Sequence, residues 1–184
     1  MVRSALPHED CLLYLRHILR WRMEEQLQVT LGPAQAADYP ETEHLMREAF
    51  WNRYSPACAE HYLVHVMRTS PGFVKELDTV ALCGDRVVGN VLCMKSLVIT
   101  DEGGRLEVLS LGPIAVLPEY QGRGIGKMLI GHTRDLARQM GFRAILLCGD
   151  PDYYGRVGFV PAEDFGIRTS ENTYFAALHA CELY

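Results

Sequence analysis

Three alternate glycines, Gly122, Gly124 and Gly126, stand in the run Gln121-Gly122-Arg123-Gly124-Ile125-Gly126-Lys127, where a strand-like stretch gives way to a helix-like one. Glycines let backbone N–H groups come close to a ligand, and a helix N-terminus beside them favours an anion, so the chemistry this run suits is phosphate binding. Two common phosphate loops do not fit. A Walker loop needs Gly-x4-Gly-Lys-Ser/Thr, but Gln121 stands where its first glycine belongs and Met128 where its hydroxyl belongs. A dinucleotide fingerprint needs its third glycine where Lys127 stands.

Other chemistry is weaker in the sequence. His61 and His65 are spaced i, i+4 on a predicted helix, as zinc ligands can be, but His-Tyr-Leu-Val-His lacks the glutamate of a metalloprotease motif, and a surface or capping role is the expectation. No Gly-x-Ser-x-Gly elbow exists. The six cysteines (Cys11, Cys58, Cys83, Cys93, Cys148, Cys181) form no Cys-x-x-Cys pair, which excludes a zinc ribbon and a thioredoxin-like motif and reads as free thiols in a reducing compartment. No metal is expected.

The chain that must position the loop has 184 residues, of which 48% are hydrophobic, and suits one compact domain. At this length roughly 70% of the unfolded chain's surface is buried on folding, so no disulfide or metal staple is required. Eighteen Lys and Arg against 23 Asp and Glu, a net charge of -5, argue against a general nucleic-acid binder. The N-terminus does not read as a secretory signal, and no run approaches the ~18 apolar residues that span a bilayer. The expectation is a cytoplasmic protein with neither nucleic acid nor membrane as partner.

Along the chain, Leu12, Leu15, Ile18, Leu19 and Met23 have helical spacing, so residues 1–26 read as an amphipathic extension that can pack on the domain, on a second subunit or on a membrane surface, a homodimer being one such use. Residues 27–184 read as the domain proper. Gln28 to Leu31 is a short strand. Asp38-Tyr39-Pro40 starts a helix through Phe50, and a second helix covers Cys58 to Met67. Thr79 to Cys83 and Val87 to Cys93 or beyond form a hairpin about Gly84-Asp85. A long strand, Leu106 to Val116, ends at Pro118 and precedes a helix with Ile125, Leu129, Leu136 and Met140 on one face, closed by Gly141. Ala144 to Cys148 is a buried strand, Asp152 to Val157 a short helix and Tyr174 to Leu178 a final strand. This pattern predicts a mixed α/β or α+β domain with a sheet covered on both faces.

Gln121, Gly124 and Gly126 form Gln-x-x-Gly-x-Gly after a strand of the form apolar-x-Val-x-Pro, and Tyr154-Gly155-Arg156-Val157-Gly158-Phe159 follows later as Tyr-x-x-x-Gly-Phe. In this order, over about residues 27 to 180, the chain resembles the GNAT superfamily of N-acetyltransferases. Leu-Gly-Pro-Ile-Ala-Val and Gly-Asp-Pro-x-Tyr-Tyr look closest to the YhbS-like branch. The resemblance implies a central, mostly antiparallel twisted sheet. It implies a V-shaped opening between two parallel neighbouring strands, here Leu106 to Val116 and Ala144 to Cys148. Acetyl-CoA would be the co-substrate, its pantetheine arm paired with backbone groups of Ile114, Ala115 and Val116. Amides from Gln121, Gly122, Arg123, Gly124, Ile125, Gly126 and Lys127 would hold its pyrophosphate.

The reaction implied is acetyl transfer to a primary amine by direct attack. A lysine-like amine of pKa ~10.4 is neutral only about once in two thousand molecules at pH 7, so a base or desolvation assists, and the departing thiolate needs a proton. By similarity, Tyr154 supplies that proton, with Tyr153 as the fallback. The family's glutamate on the long strand falls at Ser110, which is no strong base but can orient a water, while Glu107 would need a bulge to reach the site. Asp150 reads as a helix cap first and a site residue second. Arg53, Tyr54 and Phe165 to Thr173 are expected near the acceptor. The missing glutamate keeps a second reading open, an acyl-CoA-binding module without turnover, and a third gives residues 1–26 an interaction role.

Overall fold

The computed structural model describes residues 28–54 and 56–184, so the expected N-terminal helix lies outside the described residues. Among the described residues, seven strands form one sheet in the order β1-β2-β3-β4-β5-β7-β6. They are β1 (Val29–Pro33), β2 (Thr79–Cys83), β3 (Arg86–Ile99), β4 (Arg105–Val116), β5 (Ala144–Cys148), β6 (Val160–Pro161) and β7 (Leu178–Glu182). Only β4 and β5 run parallel; every other neighbouring pair is antiparallel. Cys83 pairs with Arg86 across the expected Gly84-Asp85 turn. The final strand is displaced from its expected place at Tyr174 to Leu178. That segment is irregular up to the start of β7, and Tyr174 and Phe175 are exposed, because the strand-forming aromatics do not meet the core there.

Among the described residues, four α-helices cover the sheet: α1 (Tyr39–Phe50), α2 (Glu60–Met67), α3 (Ile125–Gln139) and the short α4 (Pro151–Gly155). The side chain of Asp38 does not cap α1 as expected but accepts the Gln35 N–H at 2.8 Å. On α3 the buried residues are Ile125, Leu129, Ile130, Thr133 and Ala137, one stripe at helical spacing. Met140, expected on that stripe, is exposed just past the helix end. Gly89 of β3 faces α3, since a Cβ there would stand 3.1 Å from Leu129 Cδ1. Its neighbour Asn90 faces the opposite side, beside the end of α2.

That opposite side holds a buried ionic cluster that no local pattern announces. Arg68 Nε donates to Asp78 Oδ2 at 2.9 Å, Asn90 Nδ2 donates to Asp78 Oδ1 at 2.8 Å and to the Thr79 carbonyl at 2.9 Å, and the Arg68 guanidinium stacks 3.9 Å from the Tyr39 ring centroid. The cluster ties α1, α2, β2 and β3 together. Removing one member of a buried pair leaves a charge without its partner. Asp78→Ala should therefore lower the unfolding free energy by about 3–5 kcal/mol in urea titrations; a loss under about 1 kcal/mol would contradict the buried-pair account.

Candidate active site

The site begins where β4 and β5 part. Their register is confined to Leu109 with Ile145 and Ser110 with Leu146. Just beyond, Val91 pairs with Ile114 but Cys93 pairs with Leu111, so Gly112 and Pro113 bulge opposite the single residue Leu92. Gly112 has φ of 127°, a conformation few side chains adopt, and Pro113 has no N–H to offer a neighbouring strand. The bulge turns β4 away from β5 immediately after Ser110. On its other side β5 is drawn towards β7, and the Gly149 N–H continues that pairing to the Ala177 carbonyl at 2.9 Å. The result is the V-shaped opening.

Backbone direction along β4 follows from the pairing. The Leu117 N–H donates to the Val88 carbonyl at 3.0 Å, which makes Val116 and Gly89 a non-hydrogen-bonded pair and Ala115 and Asn90 a hydrogen-bonded one. Ile114 and Val116 therefore turn their backbone groups to the opening, while those of Ala115 turn to β3. The Val116 carbonyl already accepts Gln121 Nε2 at 2.9 Å. Of the three residues expected to pair with a ligand, Ile114 and Val116 have the geometry for it.

The glycine loop joins this edge to α3. Gly124 is the helix N-cap with φ of 81°, and no side chain caps the helix or places an acid in its first turn. Its first N–H groups are left for an anion. Ile125 is 2% exposed, so its side chain serves the core while its amide serves the loop. Arg123 folds back to the Glu119 carbonyl at 3.1 Å, and Lys127 remains exposed. Arg86, paired with Glu119 at 2.7 Å, joins Arg123 in flanking the Tyr120 ring, which brings a second guanidinium to the loop.

Across the opening stands Tyr154. Asp150 caps α4 by accepting the Asp152 N–H at 2.9 Å, the structural role expected of it. Arg134 of α3 donates to the Val157 carbonyl at 3.0 Å, and the Phe159 N–H donates to the Tyr154 carbonyl at 3.1 Å, so so short a helix is held from both ends. The Tyr154 ring lies against Gly149, where a Cβ would collide with it, and packs edge-on to Phe159 at 5.9 Å. Burial, helped by the neighbouring Tyr153, Tyr54 and Asp150, pushes its phenol up to about 12. Tyr54 comes from the connection after α1, is 74% exposed and stands near enough to Tyr154 to influence its ionisation.

The two adjacent phenols are not equivalent. A Cβ on Gly126 would fall 2.5 Å from the Tyr153 hydroxyl, which puts that hydroxyl over the first turn of α3, at the phosphate end. Ser110 is half-buried at the apex of the opening. Glu107 is exposed and bonds Lys95 Nζ at 3.3 Å, away from the site. His65 pairs with Glu43 at 3.0 Å, while His61 Nδ1 stands 3.5 Å from Cys58 Sγ, a juxtaposition that spacing alone did not reveal. Arg134 and His179, whose ring centroid is 6.3 Å from that of Tyr154, also escaped the sequence reading. The one signal for His179 was an imidazole among small and apolar residues, Leu178, Ala180 and Cys181.

A split parallel pair, an uncapped glycine-led helix and a phenol across the gap together define an acyl-CoA transferase fold. The sequence profile of the acetyltransferase (GNAT) family matches residues 37–160, and the chain belongs to that family. The uncharacterized N-acetyltransferase YhbS of Escherichia coli K12 is 30% identical over 132 residues, 71% of this chain and 73% of the relative. The crystal structure of Escherichia coli YhbS in complex with CoA superposes with a TM-score of 0.74 at 27% identity, covering 86% of this chain and 83% of that one. A GNAT acetyltransferase from Brucella melitensis in complex with acetyl-CoA shares the fold, with a TM-score of 0.68 at 24% identity over 85% and 88% of the two chains.

Gly124→Val places a branched side chain at a left-handed φ in the anion-binding turn. Titration calorimetry should show acetyl-CoA affinity reduced by about tenfold or more with the fold retained. Unchanged affinity would remove the pyrophosphate from this loop.

Proposed function

We propose that this protein transfers the acetyl group of acetyl-CoA to a primary amine, on a small molecule or a peptide, by direct attack within a ternary complex. The observation that carries the reading is the opening between β4 and β5, with Ile114 and Val116 directed into it, the α3 amides at one end and the Tyr154 phenol across it. In this reading the Ile114 and Val116 backbone groups pair with the pantetheine arm, the amides from Gln121 to Lys127 hold the pyrophosphate, and the thioester lies near Ser110 at the apex. The amine attacks the thioester carbonyl, the C–N bond forms and the C–S bond breaks.

Tyr154 gives its proton to the departing thiolate. Its raised phenol is fully protonated at neutral pH, so the acid form is always present, and its place against Gly149 at the end of β5, rather than over the first turn of α3 where the Tyr153 hydroxyl lies, favours it over Tyr153. Ser110 orients a water that takes up the amine's proton. The acceptor enters between Tyr54 and the segment Phe165 to Thr173. Arg168 in that segment is paired to Asp101 of the β3–β4 turn at 2.9 Å, which ties the segment to that turn.

The catalytic unit is residues 27–184, with residues 1–26 as an extension able to mediate a homodimer, and we place the protein in the cytoplasm. Among the described residues no helix is long and apolar enough to cross a membrane.

Tyr154→Phe keeps the ring and its packing. Steady-state kinetics at saturating acceptor should show kcat lower by roughly 10² to 10⁴, or about 3 to 5 kcal/mol, with acetyl-CoA affinity little changed. Tyr153→Phe should cost less. Full kcat in Tyr154→Phe would reject the assignment, and loss confined to Tyr153→Phe would move the role one residue earlier.

The pH profile supplies a separate check. A phenol raised to about 12 stays protonated as the pH rises, so kcat should not decline through about pH 8 to 10. A fall in that range that disappears in Tyr154→Phe would contradict an acid with this ionisation.

A further inference from the structure

His179 lies on β7, 1% exposed, between Leu147 of β5 and Pro161 of β6. Its Nδ1 stands 2.8 Å from the Ala177 carbonyl. A carbonyl oxygen only accepts, so Nδ1 carries the hydrogen and the neutral ring has its lone pair on Nε2. Among the described residues neither that Nε2 nor the Tyr154 hydroxyl makes a hydrogen bond, although the two rings are 6.3 Å apart and tilted by 38°. With Nδ1 engaged at the Ala177 carbonyl, Nε2 is the nitrogen this imidazole leaves free to accept a proton, on a ring that lies beside the Tyr154 phenol.

We propose that His179 is a positioning residue for acetyl transfer, the proton reservoir that recharges Tyr154 after the phenol has protonated the leaving thiolate. The inference rests on the transferase reading above. The proton lost by the amine as the C–N bond forms reaches His179 Nε2 through water in the opening. When the C–S bond breaks, the thiolate takes the Tyr154 proton, and the phenolate takes its own back from His179. One proton passes from amine to thiol, the imidazole and the phenol end as they began, and no other reactant is needed.

The titratable group whose ring lies beside the imidazole is Tyr154 of α4, which itself neighbours Tyr153 and the Asp150 cap; Cys181 stands two residues along β7, with Arg134 of α3, engaged at the Val157 carbonyl, acting on it. Leu147, from β5, brings no charge.

His179→Asn separates the two nitrogens, because its side-chain amide can still donate to the Ala177 carbonyl but has no titratable lone pair. Acetyl-CoA affinity and Tm should stay near the wild-type values. The kcat should fall by about tenfold or more, and the acidic limb of the pH–kcat profile should lose one titration step. Wild-type kcat and an unaltered profile in this variant would overturn the relay and leave the Ala177 bond as the residue's role.

Nitrogen-15 spectra of the histidines in the wild type and in Tyr154→Phe give a readout that does not depend on the Asn variant folding. The His179 Nε2 resonance should shift when the phenol is removed; an unshifted resonance would overturn the coupling. Absence of acetyl transfer by the wild type across a panel of amines, with acetyl-CoA bound, would overturn the transferase reading itself and this inference with it. Transfer by the wild type combined with a silent His179→Asn would overturn the relay alone.

Discussion

The architecture depends on one interruption, the loss of pairing between β4 and β5 beyond Ser110. Backbone N–H and C=O groups in a sheet need partners, and a central strand that loses its neighbour leaves a row of them facing a gap. Here the gap has a local cause. Gly112 and Pro113 bulge opposite Leu92, turn β4 aside and remove one donor, while β5 is held towards β7 by five residue pairs. An extended ligand carrying amides can take the place of the missing strand, and the same divergence makes room for its reacting end at the apex.

The helices make that gap specific. The loop that leaves β4 enters α3 through a left-handed glycine with no competing acid, so the end of the opening nearest α3 favours phosphate. Arg134 on the same helix reaches the carbonyl that closes α4, and α4 carries Tyr154 back over Gly149. Phosphate end and phenol are thus referenced to one rigid helix. Burial raises the phenol and keeps it in the acid form, which is the form a departing thiolate can use.

Much of this was legible in the amino-acid order because it is local. The strand-to-helix switch at Gly122 to Gly126, the Gly84-Asp85 hairpin and the β5 strand each show themselves within a few residues, and the Tyr-x-x-x-Gly-Phe run fixes its tyrosine by its own turn. What stayed hidden depends on contacts between distant segments. Tyr174 and Phe175 look like strand residues until the core is seen to lie elsewhere, and β7 instead uses Leu178 to Glu182. Arg68, Asp78 and Asn90 come from three elements and form a cluster only after the sheet and α2 are assembled. The turning of Ala115 towards β3 follows from a register that no periodicity encodes. Cys58 and His61, and His179 beside Tyr154, are likewise products of packing.

The central claim is that acetyl-CoA completes the sheet at β4, and backbone hydrogen exchange with and without the bound co-substrate tests it most directly. The account predicts that the Ile114 and Val116 amides and those from Gly122 to Lys127 become strongly protected on binding, while the Ala115 amide, already paired to β3, changes little. Tight binding of acetyl-CoA with no gain of protection at Ile114 and Val116 would contradict it.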